Sequence, residues 1–546
     1  MNQKRAVIGL AFTALFLAVL LPPEAYPDGK LAVIVCATFA FFSSVVEGRI
    51  HRSYIHGGLA AFSILILHSL FLSVDAYRSV EFAATLWAYY CLFGFFFYAG
   101  FEPEKPLAVC VVLLCAIVSG YGLYQYFWGF EQLYNYITYA GSDRIVKAPA
   151  LERIATRRIF STLALPGTLW GFLTIALPFH LMLWRETRQT RALIAFGAAM
   201  LLAAGILTRS FGFLVGLFVL AGAWLFLHHR RMVWRLAPIV LILALVGGAF
   251  YSIRQGGIAS ANPVSLRAMN WVSAWTIFAA HPMGTGLNTY GVMYSQYMLP
   301  GANETQYTHN TPLQLLSELG YVALIAGAGV LLLILGAWHR GEMRRLSPYL
   351  VLAAVVWGVH NLIDINVYFP SLGVIGAVLL GTLLRRQASG PQTLPKASLV
   401  ALVTVGVVTL VFSSLAMVSS ELQVRAKSEY DENRLQAAAD TIELAMSIMP
   451  FNSSLFHDAG DINLNFYHAK HDYKRLDLAT QSFQRAIALS PNKVGPHIGL
   501  SLCLSSANRV EDARAQLRIA ERLHPGSTYI QAVARLLDRR QTGIAN

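Results

Sequence analysis

The apolar residues of this chain come in long unbroken blocks, each about the 20 residues that a helix needs to cross a bilayer. Such blocks can be placed at about 6–22, 31–47, 56–74, 80–100, 107–128, 163–184, 193–207, 211–228, 236–252, 312–338, 348–365, 371–384 and 398–419. Backbone entering hydrocarbon must satisfy its own N–H and C=O groups, and consecutive apolar runs of this length do so as helices. The expected fold class is therefore all-α, a polytopic membrane helical bundle of about 12–13 spans. With 56% hydrophobic and 13% charged residues, an ordinary soluble globule is excluded.

The opening stretch MNQKRAVIGLAFTALFLAVLLPPEAY sets basic residues before an apolar core, as a cleavable signal does. No small-x-small cleavage site follows, so it is read as a retained first span. With the N-terminus inside and 13 alternating spans, the inner segments carry 17 Lys and Arg and the outer ones 10, as the positive-inside rule requires. Five of those ten, Arg144, Lys147, Arg153, Arg157 and Arg158, crowd one segment, while Arg209 and Arg267 stand nearly alone beside spans. The same count brings the chain after Ser419 to the outer side, expected to be the periplasm of a bacterium whose inner membrane holds the spans.

From Ser420 onward there are 15 Lys and Arg against 14 Asp and Glu, so nearly all of the +13 net charge sits in the membrane part. No basic soluble face or binding motif points to nucleic acid. Of five cysteines, Cys36, Cys91, Cys110 and Cys115 lie in spans and Cys503 stands alone, a pattern without a disulfide framework or metal spacing.

The expected division is a membrane domain over 1–424 and a helical-repeat domain over 425–546. Two long outer segments, 129–162 and 253–311, interrupt the spans. The second is rich in aromatic and small residues and reads as a folded periplasmic cap. In the C-terminal part Ala445, Ala486 and Ala520 each precede a proline by five residues, at Pro450, Pro491 and Pro525. The proline intervals are 41 and 34 residues. Thirty-four is the tetratricopeptide period, so an α-solenoid of tetratricopeptide-like repeats is expected, with an insertion near HAKHDYK. A generic helical bundle is the alternative, and in either case the region reads as a docking surface for a periplasmic protein partner.

Chemistry-bearing residues gather at span edges. In THNTPLQLLSELG, Thr311, Pro312 and Gln314 have the pattern of a cap, a first helical position and a capping-box partner, which puts His309 and Asn310 just before a helix N-terminus. Free N–H groups there suit phosphate oxygens, and a histidine beside them can take a proton from a hydroxyl. The plainer reading of His309 is a capping or interfacial residue. Arg209 interrupts GILTRSFGFLVGLF, where a charge is costly unless it functions or snorkels to headgroups. Arg267 begins an aromatic segment with the pattern of an amphipathic surface helix. His360 and Asp364 lie four apart on one helix face, as a packing ion pair or as the lining of a polar cavity. Glu318 is read three ways: it orients His309, pairs with an arginine, or sits at the interface.

Taken together, RRIFSTLALPGTLWGFLTIALP, LTRSFGFLVG, RAMNW, AHPMGTGLNTY, HNTPLQLLSELGYVA and HNLIDINVYFPSLGVIGAVLLG resemble the O-antigen ligase and polymerase superfamily over about residues 80–385. The most specific parts are His281–Gly286 and the run from His309 and Asn310 to Glu318 and Gly320. The resemblance implies transfer of a polyprenyl-pyrophosphate-linked glycan, with inversion and with neither metal nor nucleotide cofactor, onto an acceptor hydroxyl at the periplasmic face. It implies that His309 is the essential histidine and that Arg209 and Arg267 hold the pyrophosphate. Arg157 and Arg158 extend the same electropositive funnel, or else meet anionic headgroups. This chain has Thr208 and Arg209 where the family has Ser-Arg at the span edge, Ala323 as the small residue after the helix-starting glycine, and a tail that simple ligases lack.

Three acceptors fit within the superfamily: lipid A core, another lipid-linked glycan unit, or a protein hydroxyl. From a different class, a lipid-linked-glycan flippase predicts paired, internally related halves, and the span pattern has no such symmetry. A membrane-anchored scaffold leaves Arg209, Arg267 and His309 without a purpose.

Overall fold

The computed structural model describes residues 2–22, 26–139, 154–163, 165–186, 188–228, 263–341, 346–385 and 394–541. The span expected at 236–252, the basic residues Arg144, Lys147 and Arg153, and parts of both long outer segments lie outside the described residues. Among those described there is no strand: the chain is all-helical.

The N-terminal half contributes α1 (Asn2–Leu20), α2 (Pro27–Val46), α3 (Arg52–Phe71), α4 (Ala76–Phe97), α5 (Glu104–Tyr124) and α6 (Phe130–Tyr139). Then follow α7 (Pro166–Glu186), α8 (Arg191–Leu207), α9 (Phe211–His228), α10 (Pro263–Ala280), α11 (Tyr290–Tyr297) and α12 (Thr311–Leu319). The remaining apolar helices are α13 (Tyr321–His339), α14 (Pro348–Ile363) and α15 (Pro370–Leu383), with α16 (Lys396–Asp431) leading out of them. Among the described residues six helices, α2, α3, α4, the continuous run Glu104–Asn135, α7 and α16, are long and apolar enough to cross a membrane. Six shorter apolar helices join them.

Two groups of helices pack side by side. One surrounds α4 and contains α2, α3, α15 and α16; the other surrounds α7 and contains α5, α8, α9 and α14. Small residues set the crossings, as expected where lipid offers no hydrophobic driving force between helices. Gly373 of α15 lies against the Tyr89 ring, and Gly94 of α4 against Tyr54 and Phe41. The Trp87 indole is fully buried and donates to Thr38 Oγ1 at 3.0 Å, so its polar edge is satisfied.

Two expected spans change shape. The block at 312–338 is not one helix: it breaks at Gly320, whose φ of +57° puts α12 and α13 on different axes. The block at 107–128 runs on, because one π turn, Gln125–Gly129, carries α5 into α6.

At the other end α16 continues for 36 residues without a break, so the last apolar helix is also the first helix of the C-terminal array. That array is α17 (Leu435–Ile448), α18 (Ser453–Lys470), α19 (Tyr473–Leu489), α20 (Val494–Ser506), α21 (Val510–Leu523) and α22 (Thr528–Gln541), each packed on the next. Ala445, Ala486 and Ala520 are fully buried near the ends of α17, α19 and α21, where the following prolines stop the helix. The longer repeat interval goes into both helices of its unit: α18 has 18 residues against 13 in α20, and α19 has 17 against 14 in α21.

The loops that alternating spans assign to one side meet at one end of the bundle. Val74 N–H donates to Thr285 O at 2.9 Å, Thr311 N–H to Asp364 O at 3.2 Å, and Lys493 of the array pairs with Asp75 at 2.9 Å.

Candidate active site

The site begins at the N-terminus of α12. Asn310, not Thr311, is the cap: its Oδ1 accepts the Leu313 N–H at 2.9 Å, while its amide donates to Leu362 O at 2.8 Å. Gln314 still reaches back, but to the Thr308 N–H at 3.0 Å. The register of the expected capping box is therefore shifted by one residue, because Thr311 Oγ1 is taken by Asn361 Oδ1 at 2.8 Å. Between these clamps His309 is held at φ +54°, a conformation that a non-glycine residue keeps only when its surroundings impose it.

His309 Nδ1 donates to Asp364 Oδ1 at 3.2 Å. This replaces the expected ion pair between His360 and Asp364. Asp364 follows the last residue of α14, where its extended backbone turns the carboxylate away from its own helix and toward α12. Burial pushes the Asp364 carboxyl up, but the hydrogen bond and charge of His309, with His360 and Arg267, outweigh it and hold the group well below the usual carboxylate range. Arg267, on α10, is thus within electrostatic reach of the pair.

His360 is fully inside the bundle and pairs through Nδ1 with the Asn366 amide oxygen. Its ring lies on Trp170, with centroids 4.0 Å apart. Helix α7 makes room for both acidic and imidazole groups with glycine. A Cβ on Gly167 would stand 2.8 Å from Asp364 Oδ2, and one on Gly171 2.4 Å from His360 Nε2. Gly212, near the start of α9, gives the other side of Trp170 the same close approach.

Three residues before Gly212, Arg209 sits in the turn between α8 and α9 with φ +48°. Its Nη1 donates to Thr156 O at 3.0 Å, and Arg158 Nε donates back to Thr208 O at 3.0 Å. Arg157 lies over the Tyr126 ring at 5.4 Å from its centroid. Sequence-distant cations are thereby gathered on two turns that hold each other. The π turn supplies the anchor: Gln125 Oε1 accepts the N–H groups of both Phe160 and Ser161 at 3.0 Å. Such turns recur at functional sites.

Glu318 does none of the three things expected of it. Fully buried, it accepts the Asn288 N–H at 2.7 Å, the Tyr290 N–H and Gln314 amide at 3.1 Å each, and the Tyr368 hydroxyl. It pins the loop after His281 to α12. That loop also needs its glycines: Gly286 has φ +104°, donates to Glu318 O at 2.9 Å, and leaves no room for a side chain against Ser73. His281 itself bonds the Tyr297 hydroxyl at 3.1 Å.

Residues 196–326 match the family model for O-antigen ligase. This segment, similar to that family, runs from α8 into α13 and contains Arg209, Arg267, His309 and Glu318. The match supports the O-antigen ligase superfamily and a ligase- or polymerase-type membrane enzyme. No curated protein matches the chain.

Asp364, His360, Arg157 and Arg158 lie outside the matched segment, and the fold brings them to it. Sequence reasoning missed Trp170, Asn366, Gln125, Gly167 and Gly171. The glycines of α7 carried a signal, since Gly167 and Gly171 are four apart on one face. Gln125 carried none, because a lone glutamine at a span end is ordinary.

Proposed function

We propose that the chain is a membrane glycosyltransferase that moves a polyprenyl-pyrophosphate-linked glycan to an acceptor hydroxyl, inverting the anomeric carbon and using no metal. The observation that carries this reading is the His309 and Asp364 pair at the capped start of α12, with Arg267 in reach, inside a segment similar to O-antigen ligases. With Nδ1–H tied to Asp364, the Nε2 lone pair of His309 is the base. It takes the acceptor's hydroxyl proton as that oxygen attacks the anomeric carbon. The bond from that carbon to the pyrophosphate oxygen breaks on the opposite face, and the polyprenyl pyrophosphate leaves with the electron pair.

The leaving group already carries phosphate charge, and what it needs is fixed cations. Arg267 and Arg209, aided by Arg157 and Arg158, are proposed to hold it, since a guanidinium stays charged and forks onto phosphate oxygens. Asn310 and Glu318 support the loop geometry, and His360 braces Asp364 through the turn at Asn366.

In this reading residues 1–424 form the transferase and 425–546 a tetratricopeptide-like solenoid. The described part of the 253–311 segment, from 263, is proposed as a periplasmic cap over the inner-membrane bundle. The acceptor is lipid A core or another glycan unit, with a protein hydroxyl third. The surface glycans of cells carrying His309→Ala, separated by chain length, test it. One repeat unit still attached to core indicates a polymerase, complete loss of attached glycan indicates a ligase, and an unchanged ladder overturns the assignment.

A further inference from the structure

A cavity of about 520 Å³ lies where the C-terminal array meets the membrane bundle, apart from the pair at His309. Its walls come from three places: the starts of α2 and α4, the loop residues Asn288, Gln306 and Tyr307, and α16 with the start of α18. That volume falls within the roughly 300–1,000 Å³ of small-ligand sites, which are usually mostly apolar. This one is unusual in its lining.

Amides and hydroxyls dominate: Asn288, Gln306, Gln423, Asn452, Ser413 and Ser420. Tyr77, Tyr307 and Phe412 add ring surfaces. Of its three charged residues two form an ion pair inside the wall, and the third meets an amide. Lys30 pairs with Glu81 at 2.9 Å, and Arg78 donates to Gln306 at 3.2 Å. Ser413, on α16, is 8% exposed, and its hydroxyl has no hydrogen-bond partner among the described residues. A buried hydroxyl without a partner is costly, and it belongs to a residue of the cavity wall.

Paired donors and acceptors on planar amides, with aromatic faces between them and Lys30 closed off by Glu81, match an uncharged oligosaccharide. The hydroxyl edges of a sugar meet the amides and its C–H face meets the rings. Tyr307 lies two residues before His309, and the Asn288 N–H is held by Glu318. The cavity therefore backs onto the loops that build the proposed catalytic site. We infer that it binds the uncharged glycan part of a substrate, so that the array forms one wall of a saccharide site. This rests on the transferase reading above for its role, though not for its geometry.

The test uses the full chain in detergent micelles on an array of immobilised bacterial surface oligosaccharides, with phospholipid and pyrophosphate spots alongside. The parent protein and His309→Ala are expected to bind the same uncharged glycans. Ser413→Ala, which removes only the orphaned hydroxyl oxygen, should weaken binding at least ten-fold while the unfolding midpoint holds or rises. Ser420→Trp, which fills the cavity, should abolish it. The inference is overturned if the parent retains no uncharged glycan, if only phosphate-bearing spots retain it, or if Ser420→Trp binds as the parent does. Transfer by His309→Ala at the parent rate, with glycan binding intact, would remove the catalytic reading and leave this site standing.

Discussion

His309 and Asp364 are 55 residues apart in the chain, and their side chains meet at 3.2 Å between a helix start and a helix end. In the proposed mechanism the Asp364 carboxylate keeps the proton on Nδ1 of His309, so that Nε2 serves the acceptor.

Removing either partner should therefore stop transfer without unfolding the protein. For His309→Ala, the loss of a positioned base predicts a fall of about 10²–10⁴-fold in turnover. Asp364→Asn keeps the shape and loses the charge, and should cost at least about 10²-fold, since an orienting carboxylate is worth that much or more elsewhere. Glycan transfer by purified variants, normalised to correctly folded protein, checks both.

Acid stability should depend on the same pair. The Asp364 carboxyl is held below its ordinary range, so its stabilising contribution is full above the unfolded value of about 3.9 and is lost as pH falls through the folded one. Asp364→Asn should flatten the acid limb of the stability curve below about pH 4. Equal steepness in parent and variant would show that the pair does not carry the effect.

Glu318 should prove architectural. Glu318→Ala strands the part-buried N–H of Asn288 and the buried N–H of Tyr290, at a cost of roughly 2–6 kcal/mol for two such groups. The expected result is a lower unfolding midpoint and increased proteolysis within 281–290, with the surviving folded fraction still turning over. A variant of parent stability with no activity would move Glu318 into the chemistry.

Gly171→Ala should act at a distance of one side chain. The new methyl would press on the His360 ring at 2.4 Å, in a buried layer where overpacking typically costs about 1–3 kcal/mol. Turnover should fall more than stability, because His360, Asn366 and the Asp364 turn shift together. Gly197→Ala, whose methyl would stand 3.4 Å from His180, serves as the mild control.

The arginine turns should govern donor binding. Arg209→Lys keeps charge but loses the fork, so it should raise the donor KM nearly as much as Arg209→Ala. Chelator should leave the parent rate unchanged, because guanidinium groups are proposed to do the charge stabilisation. A rate lost to chelator and restored by a divalent cation would count against the mechanism.

The apolar block lengths fixed most of the helical order, since hydrocarbon demands internally bonded backbone whatever else the chain does. Local chemistry also marked His309, Asn310, Arg209 and Arg267, because polar residues at span edges are expensive and stand out. Pairing was not legible. That Asp364 serves His309 and not its neighbour His360 depends on the turn after α14. That Glu318 clasps backbone N–H groups depends on the break at Gly320, and that Arg209 and Arg158 hold each other's turns depends on a π turn around Gln125. Each is a contact between segments far apart in the chain, so no local period carries it. Sequence could name the ionisable groups, whereas only packing decides which neighbour each one meets.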